Sequence, residues 1–374
     1  MINILFFIES LSGGGAEKVL CNLVNAMDQT RFAITVQTLY PEDAGKCLAQ
    51  GIRYRYCYPK ASRWNDRRMR IEAALGLTYP LHIRDAYDIE VAYLECGATK
   101  IMAGSTNSQA LKLAWVHCDL AKKAAQVDRF IRDTEKYYKT YDKVVCVSDD
   151  VRKSFEKMYG PSIETKTIYN CYDDAEILRK ASASVCKESE PTVIAIGRLT
   201  AQKGFDILLR VHKRLVDDGL HYQLKILGEG PDRGQLEAFI EENTLRDSVT
   251  LCGFQNNPYP LLKSAAFYVC SSRYEGFSTT VIESLILGIP VVTTDCTGMR
   301  EILGDSQYGL ISADGEDGLH EAMKRMLTDP QLLTHYREQA ELRGKDFSCE
   351  KLVRATEPFL EQEYLKKLES RHGH

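Results

Sequence analysis

Residues 266–295, AFYVCSSRYEGFSTTVIESLILGIPVVTTD, decide the fold of this chain. The stretch opens with a short apolar run that ends in a loop, continues with a helix-period segment from about Ser278, and closes with the run PVVTTD. A strand, a helix and a second strand in this order are typical of a parallel βαβ unit. Ligands of such sheets lie at the carboxyl ends of the strands, so the loop around Glu275 is a candidate site.

The same alternation extends through most of the chain. Before residue 173 the apolar runs are INILFFIE, FAITVQTL, IEVAYLE, LKLAWVH and KVVCVSDD, and after residue 191 a second series begins with TVIAIGRL. The pattern predicts an α/β fold with two Rossmann-like domains, each a mainly parallel sheet flanked by helices. We expect domains at residues 1–173 and 191–345, a polar linker at 174–190, and a helical segment at 346–374 that packs toward the N-terminal domain.

Composition narrows the functional class. A net charge of −4 and a pI of about 6.1 give no global basic footprint of the kind that nucleic-acid binding shows. The 12 cysteines form no CxxC pair, and we expect them to be reduced and buried. The sequence has no run of ~18 apolar residues that could span a bilayer, and its apolar start is interrupted by Glu9. We expect a cytoplasmic protein that is at most peripheral on the inner face of the membrane.

Two turns at predicted strand ends could bind a phosphate. Gly13, Gly14 and Gly15 lead directly into a helix, where backbone amides can approach an anion without a Cβ in the way; an ordinary tight turn is the alternative. In the second series, GRLTAQKG places Arg198 at a strand end and Lys203 five residues later. These two cations suit a diphosphate, and a solvated basic turn is the alternative.

The two glutamates of the opening stretch lie eight positions apart. Glu275 falls in the predicted loop, and Glu283 falls in the early turns of the predicted helix. Thr280 and Glu283 have the spacing of a capping box, which is a purely structural explanation for the second acid. That explanation requires neither the first acid nor Gly276.

Together these motifs resemble the retaining glycosyltransferases of family 4. The match lies in Glu275-GFSTTVI-Glu283, in GRLTAQKG and in the glycine turn at Gly14 and Gly15, so that it covers roughly residues 1–345. The resemblance implies the GT-B architecture, with two facing Rossmann-like domains and the active site in the cleft between them. It also implies that the N-terminal domain binds the acceptor and the C-terminal domain binds a nucleotide-sugar donor.

The resemblance assigns roles to individual residues. It implies that Arg198 and Lys203 hold the donor diphosphate, that Glu283 accepts hydrogen bonds from the ribose and that Glu275 contacts the transferred sugar. The backbone amides expected to bind sugar hydroxyls and the distal phosphate are those of Gly276, Phe277, Ser278 and Thr279. His117, at the end of LAWVH, matches a strand-end histidine close to the reacting centre, although a lone strand histidine is more often structural.

Two further segments correspond to segments that relatives use for binding the base and for the turn before the linker. Gly253 and Phe254 lie where relatives hold the base largely through backbone groups. In TIYNCYDD, Cys171 and Tyr172 replace the Gly and Val that relatives often carry, so the local turn before the linker departs from the family pattern.

The implied reaction is retaining glycosyl transfer from a nucleotide sugar, most often a UDP-sugar, to a saccharide or lipid-linked saccharide in surface polysaccharide biosynthesis. The sequence contains no Asp-x-Asp motif, which favours a metal-independent enzyme that needs no cofactor. The alternatives are a catalytically silent nucleotide-sugar-binding partner of another transferase and a sugar-nucleotide epimerase on the same fold. A dinucleotide oxidoreductase is disfavoured, because neither half carries GxGxxG with a suitably placed acid.

The segment at residues 60–70 is basic and partly apolar. It combines cations with Trp64 and Met69; the cations are Lys60, Arg63, Arg67, Arg68 and Arg70. Such a segment predicts peripheral contact with anionic lipid, and a solvated helix face is the alternative.

Overall fold

The computed structural model describes residues 1–12, 14–43, 47–123, 127–182 and 190–372. The chain divides into two compact units. Unit 1 comprises residues 1–172 together with 349–374, and unit 2 comprises residues 173–348. Each unit is built around one sheet, and every strand pair that we observe is parallel. The prediction of two α/β units with parallel sheets is confirmed.

Unit 1 contains a seven-stranded sheet in the order β3-β2-β1-β4-β5-β6-β7. Its strands are β1 (Ile2–Phe7), β2 (Phe32–Thr38), β3 (Arg53–Tyr56), β4 (Ile89–Ala92), β5 (Leu111–Val116), β6 (Lys143–Cys146) and β7 (Thr165–Thr167). The central strands are buried on both faces, as expected for a parallel sheet covered by helices. The sequence patterns missed β3 and β7, because these edge strands are short and polar and carry no apolar run.

The helices of unit 1 connect and cover these strands. They are α1 (Gly15–Ala26), α2 (Arg63–Ala74), α3 (Thr78–His82), α4 (Gly97–Met102), α5 (Leu120–Lys123), α6 (Val127–Tyr138) and α7 (Asp149–Tyr159). The last helix of the chain, Cys349–His372, also belongs to unit 1 and contacts α1. Its Glu357 accepts a hydrogen bond from Arg31 at 2.7 Å, and its Glu363 accepts one from Lys143 at 2.7 Å.

Unit 2 contains a six-stranded sheet in the order β10-β9-β8-β11-β12-β13. Its strands are β8 (Thr192–Ile196), β9 (Gln223–Leu227), β10 (Val249–Gly253), β11 (Phe267–Cys270), β12 (Val291–Thr293) and β13 (Leu310–Ile311). Its helices are α8 (Asp174–Lys180), α9 (Phe205–Asp217), α10 (Arg233–Glu242), α11 (Tyr259–Ser264), α12 (Thr279–Ile286), α13 (Met299–Leu303), α14 (Gly315–Thr328) and α15 (Pro330–Gly344), so that the terminal helix of the chain is α16. The core of this unit packs α9 and α14 against the sheet through Leu208, Leu215 and Met323.

Helix α8 occupies the start of the segment that the sequence interpretation treated as a linker. Asp173 caps the helix by accepting a hydrogen bond from the backbone N–H of Glu176, and Ile177 is buried. The helix contacts α11 and α12, so this part of the segment is folded within unit 2. The rest of the predicted linker lies mostly outside the described residues.

The expectation that all cysteines are reduced and buried is wrong. Cys171 and Cys349 form a disulfide with a Cα–Cα distance of 5.0 Å across 178 residues of sequence, and Cys96 is exposed. Both bonded cysteines belong to unit 1, immediately outside the two points where the chain enters and leaves unit 2. Sequence spacing cannot predict such a bond, because tertiary packing alone brings these distant residues together.

None of the described helices is both long enough and apolar enough to cross a bilayer.

Candidate functional site

The candidate site of unit 2 lies where the strand order changes direction. Strand β8 pairs with β9 on one side and with β11 on the other, so the loops that follow β8 and β11 leave the same edge of the sheet. Such a switch point creates a crevice in which ligands of α/β sheets bind. The first loop carries Arg198 and Lys203, and the second carries Glu275.

Lys203 and Glu275 are in direct contact. Lys203 Nζ lies 2.6 Å from Glu275 Oε1, and Ser272 Oγ donates a hydrogen bond to the same oxygen at 2.6 Å. Burial lowers the pKa of Lys203, but the adjacent Glu275 carboxylate outweighs this effect and raises the pKa above its ordinary value. Lys203 is therefore a cation, and its ion pair with Glu275 holds it in position.

A second set of contacts ties the two loops together, and we call it the Arg273 latch. The guanidinium of Arg273 donates to both carboxylate oxygens of Asp206, at 2.8 and 2.7 Å, and to the carbonyl of Ala201 at 2.6 Å. The backbone N–H of Arg273 donates to the carbonyl of Gln202, whose side-chain amide donates to the carbonyl of Tyr274. A bidentate arginine–carboxylate pair has a defined geometry, so the latch fixes the position of the Lys203 turn relative to the Glu275 loop.

Gly204 completes the junction between the two loops. Its φ of +64° is the left-handed conformation that glycine adopts readily, and a Cβ at this position would lie 2.1 Å from the carbonyl oxygen of Ser271. Behind the latch, a cavity of ≈ 250 Å³ is lined by Leu209, Leu236 and Arg273, among others. None of the site residues predicted from the sequence lines this cavity.

Arg198 is exposed at the end of β8. Within the described part of the chain, its guanidinium makes no hydrogen bond or ion pair. The two predicted clamp cations therefore differ: Lys203 is held by Glu275, whereas Arg198 can pair with an incoming anion without breaking an existing contact.

The N-terminus of α12 follows the Glu275 loop directly. Gly276, Phe277 and Ser278 are buried, Ser278 is the N-cap, and Thr279 is the first residue of the helix. Ser278 makes no side-chain capping bond, and the positive end of the helix dipole lies at this position. The Phe277 ring packs edge-on against Phe347, with the ring centroids 6.2 Å apart.

The capping-box explanation for Glu283 is wrong. The helix begins at Thr279, so Thr280 lies inside its first turn and cannot serve as the N-cap. Glu283 is instead buried in the second turn, where it accepts a hydrogen bond from the hydroxyl of Tyr259 at 3.1 Å. Burial, together with the nearby Glu283, raises the pKa of Tyr259, which keeps the phenol protonated as a donor.

Gly253 and Phe254 lie at the end of β10. Gly253 has φ +69° at a register irregularity, and its carbonyl accepts a hydrogen bond from the backbone N–H of Gly228 at 2.9 Å. The Phe254 side chain is 62% exposed, which is unusual for a large aromatic residue. The end of β10 therefore presents an aromatic face that a planar ligand could stack on.

In unit 1 the switch point lies between β1 and β4. The glycine turn follows β1: Gly14 is the N-cap of α1 and Gly15 is its first residue, while Gly13 lies outside the described residues. A Cβ at Gly14 would lie 2.0 Å from Glu17 Oε2. The Glu17 carboxylate thus occupies the space beside the turn, and a phosphate could approach Gly14 only after this acid turns away.

The strand ends of unit 1 also hold a charged cluster around the buried Glu95. Glu95, after β4, accepts hydrogen bonds from the backbone N–H of His117 and from Lys123 Nζ, at 3.0 and 2.9 Å. Burial raises the pKa of Glu95, but Lys123 and His117 outweigh it and lower the pKa to about 2. Burial lowers the pKa of His117 to about 4, so its imidazole is neutral at pH 7. The Nε2 atom of His117 is buried without a hydrogen-bond partner among the described residues.

The sequence analysis did not identify several residues that position the site residues. These are Ser272, Tyr259, Glu95 and the residues of the Arg273 latch. Only Glu95 left a usable signal, because it is an acid at the carboxyl end of a predicted strand. The other contacts join segments that are distant in sequence or are positioned by the local path of a loop.

Comparison with known proteins identifies relatives of this arrangement. Residues 177–343, which lie within unit 2, match the family model described as glycosyl transferases group 1. The chain is 36% identical over 189 residues to N-acetylgalactosamine-N,N'-diacetylbacillosaminyl-diphospho-undecaprenol 4-alpha-N-acetylgalactosaminyltransferase of Campylobacter jejuni, with 50% of this chain and 51% of that protein covered. It is 32% identical over 259 residues to an uncharacterized glycosyltransferase of Methanocaldococcus jannaschii, with 59% and 63% covered. The chain thus spans about half to three-fifths of the length of these curated relatives.

Solved structures share the fold of nearly the whole chain. The complex of Anabaena Alr3699/HepE with UDP and glucose superposes with a TM-score of 0.77 at 17% identity, covering 96% of this chain and all of that one. Sucrose-phosphate synthase from Thermosynechococcus elongatus superposes with a TM-score of 0.80 at 16% identity, covering 98% of this chain and all of that one. At these identities the likeness establishes the fold alone.

Proposed function

Because residues 177–343 match the family model described as glycosyl transferases group 1 and the chain has the GT-B fold, we propose that this protein is a retaining, metal-independent glycosyltransferase. The donor is a nucleotide sugar, with UDP as the nucleotide, and the acceptor is a saccharide or lipid-linked saccharide. A UDP donor is supported by the similarly folded protein whose structure contains UDP and glucose. A lipid-linked acceptor is supported by the relative whose name specifies a diphospho-undecaprenol substrate.

The observation that carries this proposal is the charge arrangement at the β8–β11 switch point. Three features provide positive character at one sheet edge: an exposed Arg198 that makes no ion pair within the described residues, a Lys203 held by Glu275, and the N-terminus of α12. A diphosphate is the ligand that such an edge suits. The carboxylate of Glu283, which accepts a hydrogen bond from Tyr259, provides an acceptor for the ribose hydroxyls of the same donor.

In the proposed reaction, the bond between the anomeric carbon and the diphosphate oxygen breaks while the acceptor oxygen bonds to that carbon on the same face. The departing phosphate oxygen takes the proton of the acceptor hydroxyl, so that a glycoside and free UDP are formed. Negative charge grows on the leaving diphosphate, and Arg198 and Lys203 stabilise it. Removing one such preorganised contact lowers the rate by about 10²- to 10³-fold.

Glu275 binds sugar in this proposal and is not a nucleophile. Its Oε1 atom already accepts hydrogen bonds from Lys203 and Ser272, which weakens it as an attacking group. Trapping of a glycosyl adduct on Glu275 by mass spectrometry would overturn this assignment.

The remaining predicted residues have supporting roles. We propose that the neutral imidazole of His117 hydrogen-bonds to the transferred sugar, and that the turn at Gly14 and Gly15 admits the donor once Glu17 moves. The exposed Phe254, next to Gly253, stacks on the base of the nucleotide. We also propose that no metal or other cofactor is required, since the two cations neutralise the leaving group, and that the enzyme acts in the cytoplasm in surface polysaccharide biosynthesis.

Thermal-shift and donor-hydrolysis measurements against a panel of nucleotide sugars, with EDTA present, test the proposal. We expect one nucleotide sugar to stabilise the protein and to be hydrolysed slowly. Both effects should disappear in Glu283→Ala and in the double variant Arg198→Ala with Lys203→Ala. A matched control is Arg246→Ala, which removes an exposed arginine away from the switch point. Stabilisation that requires a divalent ion would refute metal independence, and no stabilisation by any donor would refute the transferase assignment.

A further inference from the structure

Unit 1 exposes an apolar stripe on α2 and the turn that follows it. At ~100° per residue, the side chains of Trp64, Ile71 and Leu75 fall within about 40° of one another around the helix axis. All three are exposed, and Trp64 is 74% exposed. Leu77 and Leu81 continue the exposed apolar surface beyond the helix. Five large apolar side chains in water on one short segment mark an interaction surface. We call this set the α2 face.

The helix is anchored so that this stripe points outward. Ser62 caps α2 by accepting a hydrogen bond from the backbone N–H of Asn65. Glu72, on a different side of the helix, is buried and accepts hydrogen bonds from Tyr58, Arg68 and His82 at 2.6, 2.5 and 2.9 Å. Met69, which the sequence interpretation grouped with Trp64, is half-buried. The helix therefore cannot rotate to hide Trp64 without breaking the Glu72 contacts.

The exposed charges of the segment that make no ion pair within the described residues are all positive. They are carried by Lys60, Arg63, Arg67, Arg70 and Arg84, which lie on α2 or near it in sequence. Of the two acids of the helix, Glu72 is buried, and Asp66 lies about 160° around the helix axis from Trp64, where it accepts a hydrogen bond from the hydroxyl of Tyr40. The α2 face thus combines apolar side chains with uncompensated positive charge.

We propose that the α2 face docks on the surface of a bilayer that contains anionic phospholipid. Tryptophan and leucine side chains insert at the level of the headgroups, while the flanking arginines pair with lipid phosphates. The helix would then lie in the plane of the interface. This inference deepens the proposed function and rests on it in one respect: docking places the enzyme next to a lipid-linked acceptor.

Vesicle flotation and tryptophan fluorescence test the inference on the full-length protein. The chain has two tryptophans, and Trp115 is 2% exposed, so a change in emission on binding reports on Trp64. We expect binding to vesicles of equal parts phosphatidylglycerol and phosphatidylcholine, with a blue shift of the emission, and little binding to phosphatidylcholine alone. The double variant Arg67→Gln with Arg70→Gln should bind about 30-fold more weakly, at roughly fivefold per cation.

A matched control separates this surface from general charge effects. Lys153→Gln with Lys157→Gln removes two exposed cations from α7 of the same unit and should leave vesicle binding unchanged. Equal losses in the two double variants, or no blue shift of Trp64, would overturn the inference. So would a dimer in solution that Trp64→Ala disperses while vesicles are not bound.

The test is independent of the donor site. Donor hydrolysis in the Arg67→Gln, Arg70→Gln variant should equal that of the wild type. If the donor assignment fails while the anionic vesicles are still bound, the docking surface stands and only the proposed reaction is refuted.

Discussion

Replacing Glu275 with glutamine should separate nucleotide binding from sugar transfer. Lys203 Nζ is 2.6 Å from Glu275 Oε1. A phosphate oxygen that bonds to the same ammonium group would lie within about 5 Å of that carboxylate oxygen. The repulsion between two unit charges at this distance is about 3 kcal/mol at an effective dielectric constant of about 20, and about 1 kcal/mol in water. Removing the acid should therefore tighten the binding of UDP about 5- to 150-fold.

The same change should slow transfer. Glu275→Gln weakens a charged hydrogen bond to the sugar, and a contact of this kind contributes about 1.5–3 kcal/mol, so turnover should fall about 10- to 150-fold. Calorimetric titration with UDP in the presence of EDTA gives the affinity, and donor turnover gives the rate. Lys203→Gln should lose UDP affinity, and Glu283→Gln, whose carboxylate accepts from Tyr259, should not gain it. Unchanged or weaker UDP binding in Glu275→Gln would show that Lys203 does not bind phosphate and would refute the reasoning.

Three further predictions concern the framework of the protein. Asp206→Asn breaks the Arg273 latch and should raise the donor KM severalfold. The free energy of unfolding should fall by only about 1 kcal/mol, because the Arg273–Asp206 pair is partly exposed. Asp217→Asn, on the same helix, should change neither the donor KM nor the free energy of unfolding. His212 is fully buried, and burial lowers its pKa from 6.5 to about 4, so the stability that it contributes above pH 6.5 is lost as the pH falls toward 4. Urea unfolding should show a loss of about 2 kcal/mol in the free energy of unfolding between about pH 7.5 and 5. This pH-dependent loss should be absent in His212→Gln. Replacing Cys171 and Cys349 with serine should lower the free energy of unfolding by about 2–5 kcal/mol under oxidising conditions, and a reductant should have the same effect on the wild type.

The sequence by itself determined the two α/β units and the strands that carry the sites. Apolar runs such as LKLAWVH and FYVC became buried strands, because a strand covered on both faces must be continuously apolar. It also placed Arg198 at a strand end and Lys203 and Glu275 in the segments that follow strands, since strand boundaries follow from local composition. The hydrophobic pattern of a strand is a local property of the sequence, so it shows where each strand of a parallel sheet begins and ends.

Tertiary structure alone decided which of these residues meet. Lys203 reaches Glu275, 72 positions away, only because β8 and β11 are neighbours in the sheet, and Cys171 reaches Cys349 only because α16 returns to unit 1. Whether Glu283 caps a helix or binds Tyr259 likewise depended on where the helix began. Contacts between distant segments depend on strand order and on the exact path of loops. Neither leaves a periodic signal in one chain.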